Sequence, residues 1–365
     1  MQPLVHVVGA RPNFVKAAPV VRALEERGLP QRVVHTGQHY DEALSDVFFR
    51  QLDLPKPDLD LGVGSGTHAR QTAALLVALE DAFDVLEPGM VVVYGDVNST
   101  LAAALVATKL ELPLAHVEAG LRSFDNSMPE EINRRVTDTL SDLLFATSAD
   151  AVAHLAREGV APERIHLVGN PMIDTLVANL DRFVPQEFRA TVGLGATEPY
   201  VVVTMHRPAN VDGAGAARGL VEALATVAAS ARVVFPVHPR GRATLAEAGL
   251  DAVEGLTVLE PLGYVEFLSA LRGAALVVTD SGGVQEETTI LGVPCLTVRP
   301  NTERPITITD GTNTLVSPGE LPARASEILS GARQVGAARP PLWDGSSGPR
   351  IAAVLDDFAK RSDQR

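Results

Sequence analysis

The sequence predicts an α/β protein built from two Rossmann-like domains in succession, each a doubly wound parallel sheet, and three observations predict it. The chain has 365 residues, beyond the roughly 250–300 at which a single hydrophobic core stops growing. Short β-branched runs alternate with longer stretches of helical spacing, the pattern of a parallel sheet covered by helices on both faces. The alternation breaks at a polar segment and then starts again, which separates two such units.

Taken in order, the first domain spans 1–175, with strands at Leu4 to Val8, Arg32 to His35, Met90 to Tyr94, Leu114 to Val117, Leu143 to Ala146 and Ile165 to Val168. The polar segment runs from about Asp181 to Pro199 and contains Pro185, Gly193 and Gly195, residues that punctuate rather than extend regular structure. The second domain spans 195–350, with strands at Tyr200 to Met205, Arg232 to Val237, Thr257 to Leu259, Ala275 to Thr279, Pro294 to Val298 and Thr314 to Val316. Residues 351–365 form a last helix.

Composition narrows the partners. A net charge of −14 repels nucleic acid and anionic lipid at long range, although a local basic pocket can still hold a small anion. The single cysteine, Cys295, sits in the apolar stretch Val293 to Val298 and reads as a core residue; one cysteine allows no internal disulfide. The first residues lack a basic leader, and no run approaches the ~18 apolar residues of a membrane span, so the expectation is a soluble cytoplasmic protein.

In sheets of this kind ligands bind beyond the carboxyl ends of the strands, and here those ends are rich in charge. They read Gly9-Ala10-Arg11-Pro12-Asn13, Thr36-Gly37-Gln38-His39, Gly95-Asp96-Val97-Asn98, Glu118-Ala119-Gly120-Leu121-Arg122, His206-Arg207-Pro208 and Asp280-Ser281-Gly282-Gly283. No phosphate-binding Gly-x4-Gly-Lys loop is present, and Gly62 to Gly66 lacks the strand that precedes a dinucleotide fingerprint. Asp58 and Asp60 form a pair of acids in a Pro-flanked loop, better read as loop residues than as metal ligands.

Three sets remain. Ser281, Gly282 and Gly283 follow a strand and open a helix, whose free amides and dipole favour a phosphate, with Glu287 one turn in to accept from ribose hydroxyls. The bland alternative is an ordinary Ser/Gly helix start. Arg11, Lys16, His206 and Arg304 gather cations at strand ends of both domains, as a diphosphate in an intervening cleft requires, whereas any one alone reads as a solvated surface residue. Asp96, Glu118 and Glu130 supply carboxylates for acid and base work. Against that, Glu130 or Glu131 could simply compensate a helix dipole after Pro129, and Asp96 could cap the following helix.

These blocks together resemble the non-hydrolysing UDP-N-acetylglucosamine 2-epimerases, which share the GT-B architecture of two Rossmann-like domains with a cleft between them. The match runs from Gly9-Ala10-Arg11-Pro12-Asn13-Phe14-Val15-Lys16 through His116-Val117-Glu118-Ala119-Gly120-Leu121-Arg122, Pro129-Glu130-Glu131, His206-Arg207 and Ser281-Gly282-Gly283-x-Gln285-Glu286-Glu287 to Thr302-Glu303-Arg304-Pro305. The resemblance implies a catalytic set of Asp96, Glu118, Glu130 and His206. It implies that Arg11, Lys16, Phe267, Ser281, Gly282, Gly283, Glu287 and Arg304 hold the nucleotide, and that Gln38, His39, Arg70 and Gln71 hold a second, allosteric UDP-sugar; loop hydrogen bonding and a polar helix face would account for those four equally well. It further implies a homodimer serving polysaccharide biosynthesis, no cofactor, no metal, and a last helix crossing back to the first domain. Two positions depart from the common pattern: Asn13 and Ala209 stand where many members carry Glu.

The implied reaction is elimination of UDP to a glycal and its re-addition after protonation on the other face. Breaking the bond to UDP acidifies the proton at carbon 2, and cations that hold the departing diphosphate act on the transition state more than on the ground state. A GT-B glycosyltransferase, a silent UDP-sugar sensor and a hydrolysing epimerase are the alternatives; the Glu118 and Glu130 blocks argue against the first, and only Ala209 favours the second.

Overall fold

The computed structural model describes residues 2–37, 51–52, 54–332 and 339–362, of Arg11 the backbone only. It divides into two compact units, Met1–Ala178 with Pro341–Arg365, and Asn179–Pro340.

The first unit carries a seven-stranded, all-parallel sheet. Its strands are β1 (Leu4–Val8), β2 (Gln31–His35), β3 (Leu59–Asp60), β4 (Met90–Tyr94), β5 (Leu114–Ala119), β6 (Leu143–Ala146) and β7 (Ile165–Leu167), in the order β3-β2-β1-β4-β5-β6-β7. β1, β4 and β5 are buried along their whole length, as central parallel strands must be when helices cover both faces. The short β3 was not anticipated: two residues carry no periodicity, and the strand is set by pairing with Val34 and His35. Asp58 accepts from the Val33 amide at 2.8 Å and Asp60 from the Gly62 amide at 3.0 Å, so both acids brace this edge.

The second unit carries a six-stranded parallel sheet of β8 (Tyr200–Thr204), β9 (Arg232–Pro236), β10 (Leu256–Leu259), β11 (Leu276–Thr279), β12 (Cys295–Val298) and β13 (Asn313–Val316), in the order β10-β9-β8-β11-β12-β13. Its core gathers Val201, Val203, Phe235, Leu276, Val278 and Leu296 against Leu220 and Leu224 of the Ala214–Ala228 helix. Cys295 lies on β12 at 1% exposure, and burial pushes its thiol up to about 11, as befits a core residue.

The strand order reverses between β1 and β4 in one sheet and between β8 and β11 in the other. Crevices open beyond the carboxyl ends of strands at such points. Gly9 and Gly95 follow β1 and β4, and Met205 and Asp280 follow β8 and β11, so the charged strand ends fall where each sheet can take a ligand.

The unit limits differ from the expected 195–350. The segment read as linker contains the Pro185–Thr191 helix, and Asn179 onward belongs to the second unit because the Val184 amide donates to Ser269 Oγ at 3.0 Å, while Arg272 donates to the carbonyls of Leu180 and Phe183. Residues 341–350 belong to the first unit. There Trp343, 1% exposed, donates to the Thr147 carbonyl at 2.9 Å, and the Ser347–Ser362 helix packs along Arg11–Glu26. Pro19 lies inside that partner helix and cannot donate to the Val15 carbonyl, which accepts instead from Thr175 Oγ1 at 2.6 Å. The Pro19 carbonyl comes so close to Gly348 that no Cβ fits there. No helix among the described residues is long and apolar enough to cross a membrane.

Candidate active site

In the first unit the candidate acids meet cations at adjacent strand ends. Glu118, 3% exposed, is the penultimate residue of β5 and is in direct contact with Lys16 Nζ, itself buried on the Arg11–Glu26 helix. Glu118 has φ +73°, in the left-handed region that a residue with a Cβ rarely enters, and the β5–β6 register shifts between Val117 and Ala119. Gly95 closes this corner. A Cβ there would stand 2.9 Å from Lys16 Nζ and 3.1 Å from Glu118 Oε2. Lys16, expected on the diphosphate, is thus placed against a carboxylate of its own unit.

Asp96 does not cap the Asn98–Lys109 helix, whose N-cap is Val97. Its carboxylate pairs with Arg134 at 2.5 Å, and Asn133 donates to its carbonyl at 2.8 Å. Arg134 also binds Glu131 at 2.7 Å. Burial would raise the Glu131 carboxyl, but Arg134 and the Ser123 amide and hydroxyl outweigh it and hold the group below the usual carboxylate range. Glu131 is therefore a loop anchor. Glu130, its neighbour, is half-buried in the first turn of the Pro129–Leu140 helix, and its carboxylate makes no hydrogen bond to another described residue. That leaves its carboxylate available at a helix N-terminus, where negative charge is favoured.

Asn13 has a local task. Its Oδ1 accepts from the amides of Gly9 and Ala10 at 3.1 and 3.0 Å, and its Nδ2 donates to the Tyr94 carbonyl at 2.8 Å. A carboxylate could not make the last bond.

In the second unit Asp280, fully buried after β11, organises the chain after β8. It accepts from the amides of His206 and Arg207 at 3.1 and 2.9 Å and from Asn210 at 2.9 Å. His206 Nδ1 lies 3.0 Å from Asp280 Oδ1, and burial, which would raise this carboxyl, is outweighed by His206, Asn210 and the Arg207 amide, so it stays ionised. The ionised acceptor makes Nδ1 the donor, and the ring is half-exposed. Ser281 is the N-cap of the Gly282–Leu291 helix and its side chain does not cap it.

Arg304, 7% exposed, lies over that helix start between two carboxylates, Glu286 at 2.9 Å and Glu303 in direct contact. Glu303 is shared with Arg299 at 2.7 Å. A Cβ on Gly282 would collide with the Arg304 guanidinium and come within 2.7 Å of Glu303. Glu287 is buried one turn in, and burial first, then the charge of Glu286, pushes it up to about 8. Phe267, half-exposed on the Tyr264–Arg272 helix, offers a ring face.

Arg11 opens its helix, with its side chain outside the described residues, as are Gln38 and His39 entirely. Arg70 is exposed, whereas Gln71 is buried and bonds the Gly64 carbonyl at 2.8 Å and Asn98 at 2.7 Å. Arg134, Asn133 and Asp280 lie inside the motif blocks, but the sequence assigns them no role. Asn133 and Arg134 stand in the Pro129 block itself, at i+3 and i+4 from Glu130, a spacing that puts them near one helix face.

A family model described as UDP-N-acetylglucosamine 2-epimerase matches residues 22–356. The chain is 41% identical over 361 residues to the UDP-N-acetylglucosamine 2-epimerase of Methanocaldococcus jannaschii, covering 96% of this chain and 97% of that protein. It is 43% identical over 314 residues to the UDP-2,3-diacetamido-2,3-dideoxy-D-glucuronate 2-epimerase of Pseudomonas aeruginosa, covering 85% and 87%. The crystal structure of the M. jannaschii enzyme in complex with UDP-GlcNAc and UDP superimposes with a TM-score of 0.90 at 40% identity, over 98% of this chain and 100% of that one.

Proposed function

The chain belongs to the UDP-N-acetylglucosamine 2-epimerase family, and from that premise we propose that it interconverts UDP-N-acetylglucosamine and UDP-N-acetylmannosamine by eliminating and re-adding UDP, as a cytoplasmic homodimer. The observation that carries the mechanism is the pair of acids at adjacent strand ends, each with its own cation: Glu118 with Lys16 and Asp96 with Arg134.

Phosphate binding is assigned to His206, Ser281, Gly282, Gly283 and Arg11, with Arg304 shaping the helix start. Glu287 and Phe267 are assigned to the nucleoside. Proton transfer is assigned to Asp96 or Glu118 as base, with Glu130 as acid or partner. The carbon 1 to oxygen bond breaks and its electron pair leaves with UDP. The base takes the proton from carbon 2, forming the carbon 1 to carbon 2 double bond; a proton then reaches the opposite face of carbon 2 as UDP re-forms the bond at carbon 1. Nothing in the sequence requires a nicotinamide or a metal for this route.

In deuterated water each product should carry one solvent deuteron at carbon 2, and a label in the bridging oxygen should scramble within UDP. Epimer formed without deuterium or scrambling overturns the elimination. The P. aeruginosa relative favours a second reading, in which the sugar is a diacetamido uronate; competing the two UDP-sugars for turnover decides between them. Arg70 and Gln71 are proposed, with Gln38 and His39, as a regulatory UDP-sugar site, for which sigmoidal dependence on UDP-N-acetylglucosamine is the mark.

A further inference from the structure

The left-handed backbone at Glu118 has to be enforced by its surroundings, because a residue with a Cβ does not hold φ +73° unaided. The chain on both sides of Glu118 is tied to one carboxylate. Asp138, 1% exposed on the Pro129–Leu140 helix, meets His116 Nδ1 at 2.6 Å through Oδ1. Its Oδ2 accepts from the Gly120 amide at 3.1 Å and from Arg122 Nη2 at 2.7 Å. These anchors stand two residues before Glu118 and two and four residues after it.

His116 carries the constraint to the neighbouring strand end. Its Nε2 lies 2.8 Å from the Gly95 carbonyl, and the Gly95 amide donates to the Val117 carbonyl at 3.0 Å. Gly95 immediately precedes Asp96. One buried carboxylate therefore ties down the chain at both candidate bases. We propose that Asp138 is a positioning residue for the epimerisation, holding Glu118 and Asp96 in working geometry through His116 and Gly120; the proposal rests on the reaction assigned above.

Hydrogen-bond counting sharpens it. The Gly95 carbonyl can only accept. Burial would raise the Asp138 carboxyl, but His116 and Arg122 outweigh it and keep it ionised, so it too only accepts. His116 therefore has an acceptor at each ring nitrogen, the Asp138 carboxylate at Nδ1 and the Gly95 carbonyl at Nε2. Arg122 completes the cluster with a two-pronged bond to Glu158 at 2.8 and 2.6 Å. Asp138 faces both His116 and Arg122, and removing this buried carboxylate strands its partners. Asp138→Asn keeps the shape but sets an amide group against either the Gly120 and Arg122 donors or the His116 donor.

The test is Asp138→Asn with rates normalised to UDP-binding sites. Turnover, read as deuterium entering carbon 2, should fall about 100-fold or more, as for a reacting group misplaced by about 1 Å. UDP affinity and KM should stay within about threefold, since binding in ground and transition state alike is untouched. A merely structural role lowers the number of sites and leaves turnover per site at the wild-type value, which overturns the proposal. Nitrogen-15 NMR of the wild-type protein, with His116 assigned against His116→Gln, keeps the matter decidable if the variant does not fold. A hydrogen bond at each ring nitrogen is expected, and a ring nitrogen without one overturns the arrangement. Wild-type protein that incorporates no deuterium refutes the reaction instead, and the NMR result still stands by itself.

Discussion

At the residue scale, Glu118 unites the features of a working carboxylate: burial, a lysine partner and a backbone held out of its relaxed conformation. Glu118→Gln should lower turnover by ~100-fold or more, the usual loss for an acid or base, and leave UDP affinity nearly unchanged. Near-normal turnover in kinetic assays would remove Glu118 from the chemistry. Glu287 presents the opposite electrostatics. Its carboxyl is pushed up to about 8 by burial and by Glu286, so the neutral form is the one the fold accommodates. A raised folded-state value means stability that is fully present below the unfolded value of ~4.5 and is lost as pH rises through about 8. Glu287→Gln, which cannot ionise, should therefore gain thermal stability relative to wild type as pH goes from about 5 to about 8. Melting curves that shift in parallel across this window would refute the assignment.

At the scale of elements, the start of the Gly282–Leu291 helix combines free amides with a glycine that is required sterically. Gly282 has ordinary backbone but no room for a Cβ under Arg304 and Glu303. Gly282→Ala should push that pair away and weaken UDP binding about tenfold or more, the worth of one charge-assisted hydrogen bond, as titration calorimetry can measure. Gly319→Ala, where a Cβ meets nothing within 4 Å, serves as the control with unchanged affinity. Equal affinities in both variants would mean that the phosphate lies elsewhere.

At the scale of the whole molecule, the chain leaves its first unit at Ala178 and returns at Pro341. The returning segment is fastened by Trp343, by the Gly348 amide donating to Asp174 at 2.7 Å, and by close backbone approach at Gly348. Trp343→Ala should destabilise the first unit by about 3–5 kcal/mol, the range for truncating a buried aromatic. Denaturant unfolding checks this, and a loss below about 1 kcal/mol, the scale of surface changes, would show the segment to be an appendage.

The sequence by itself determined the two doubly wound sheets, since continuous β-branched runs such as Met90–Tyr94 and Tyr200–Thr204 have no other stable setting than a sheet buried on both faces. It also determined which strand ends carry charge, because the acids and glycines directly follow those runs. β3 and the Pro185–Thr191 helix were not legible, being too short to show a period. Nor could the sequence tell that Lys16 faces Glu118, that Arg134 rather than a helix end takes Asp96, or that Asp138 reaches both sides of Glu118. Those pairings join residues from 16 positions apart, Arg122 and Asp138, to 102 apart, Lys16 and Glu118. Only the tertiary structure decides them, because a side chain's partner depends on which strand ends the sheet order brings side by side, and no local pattern encodes that order.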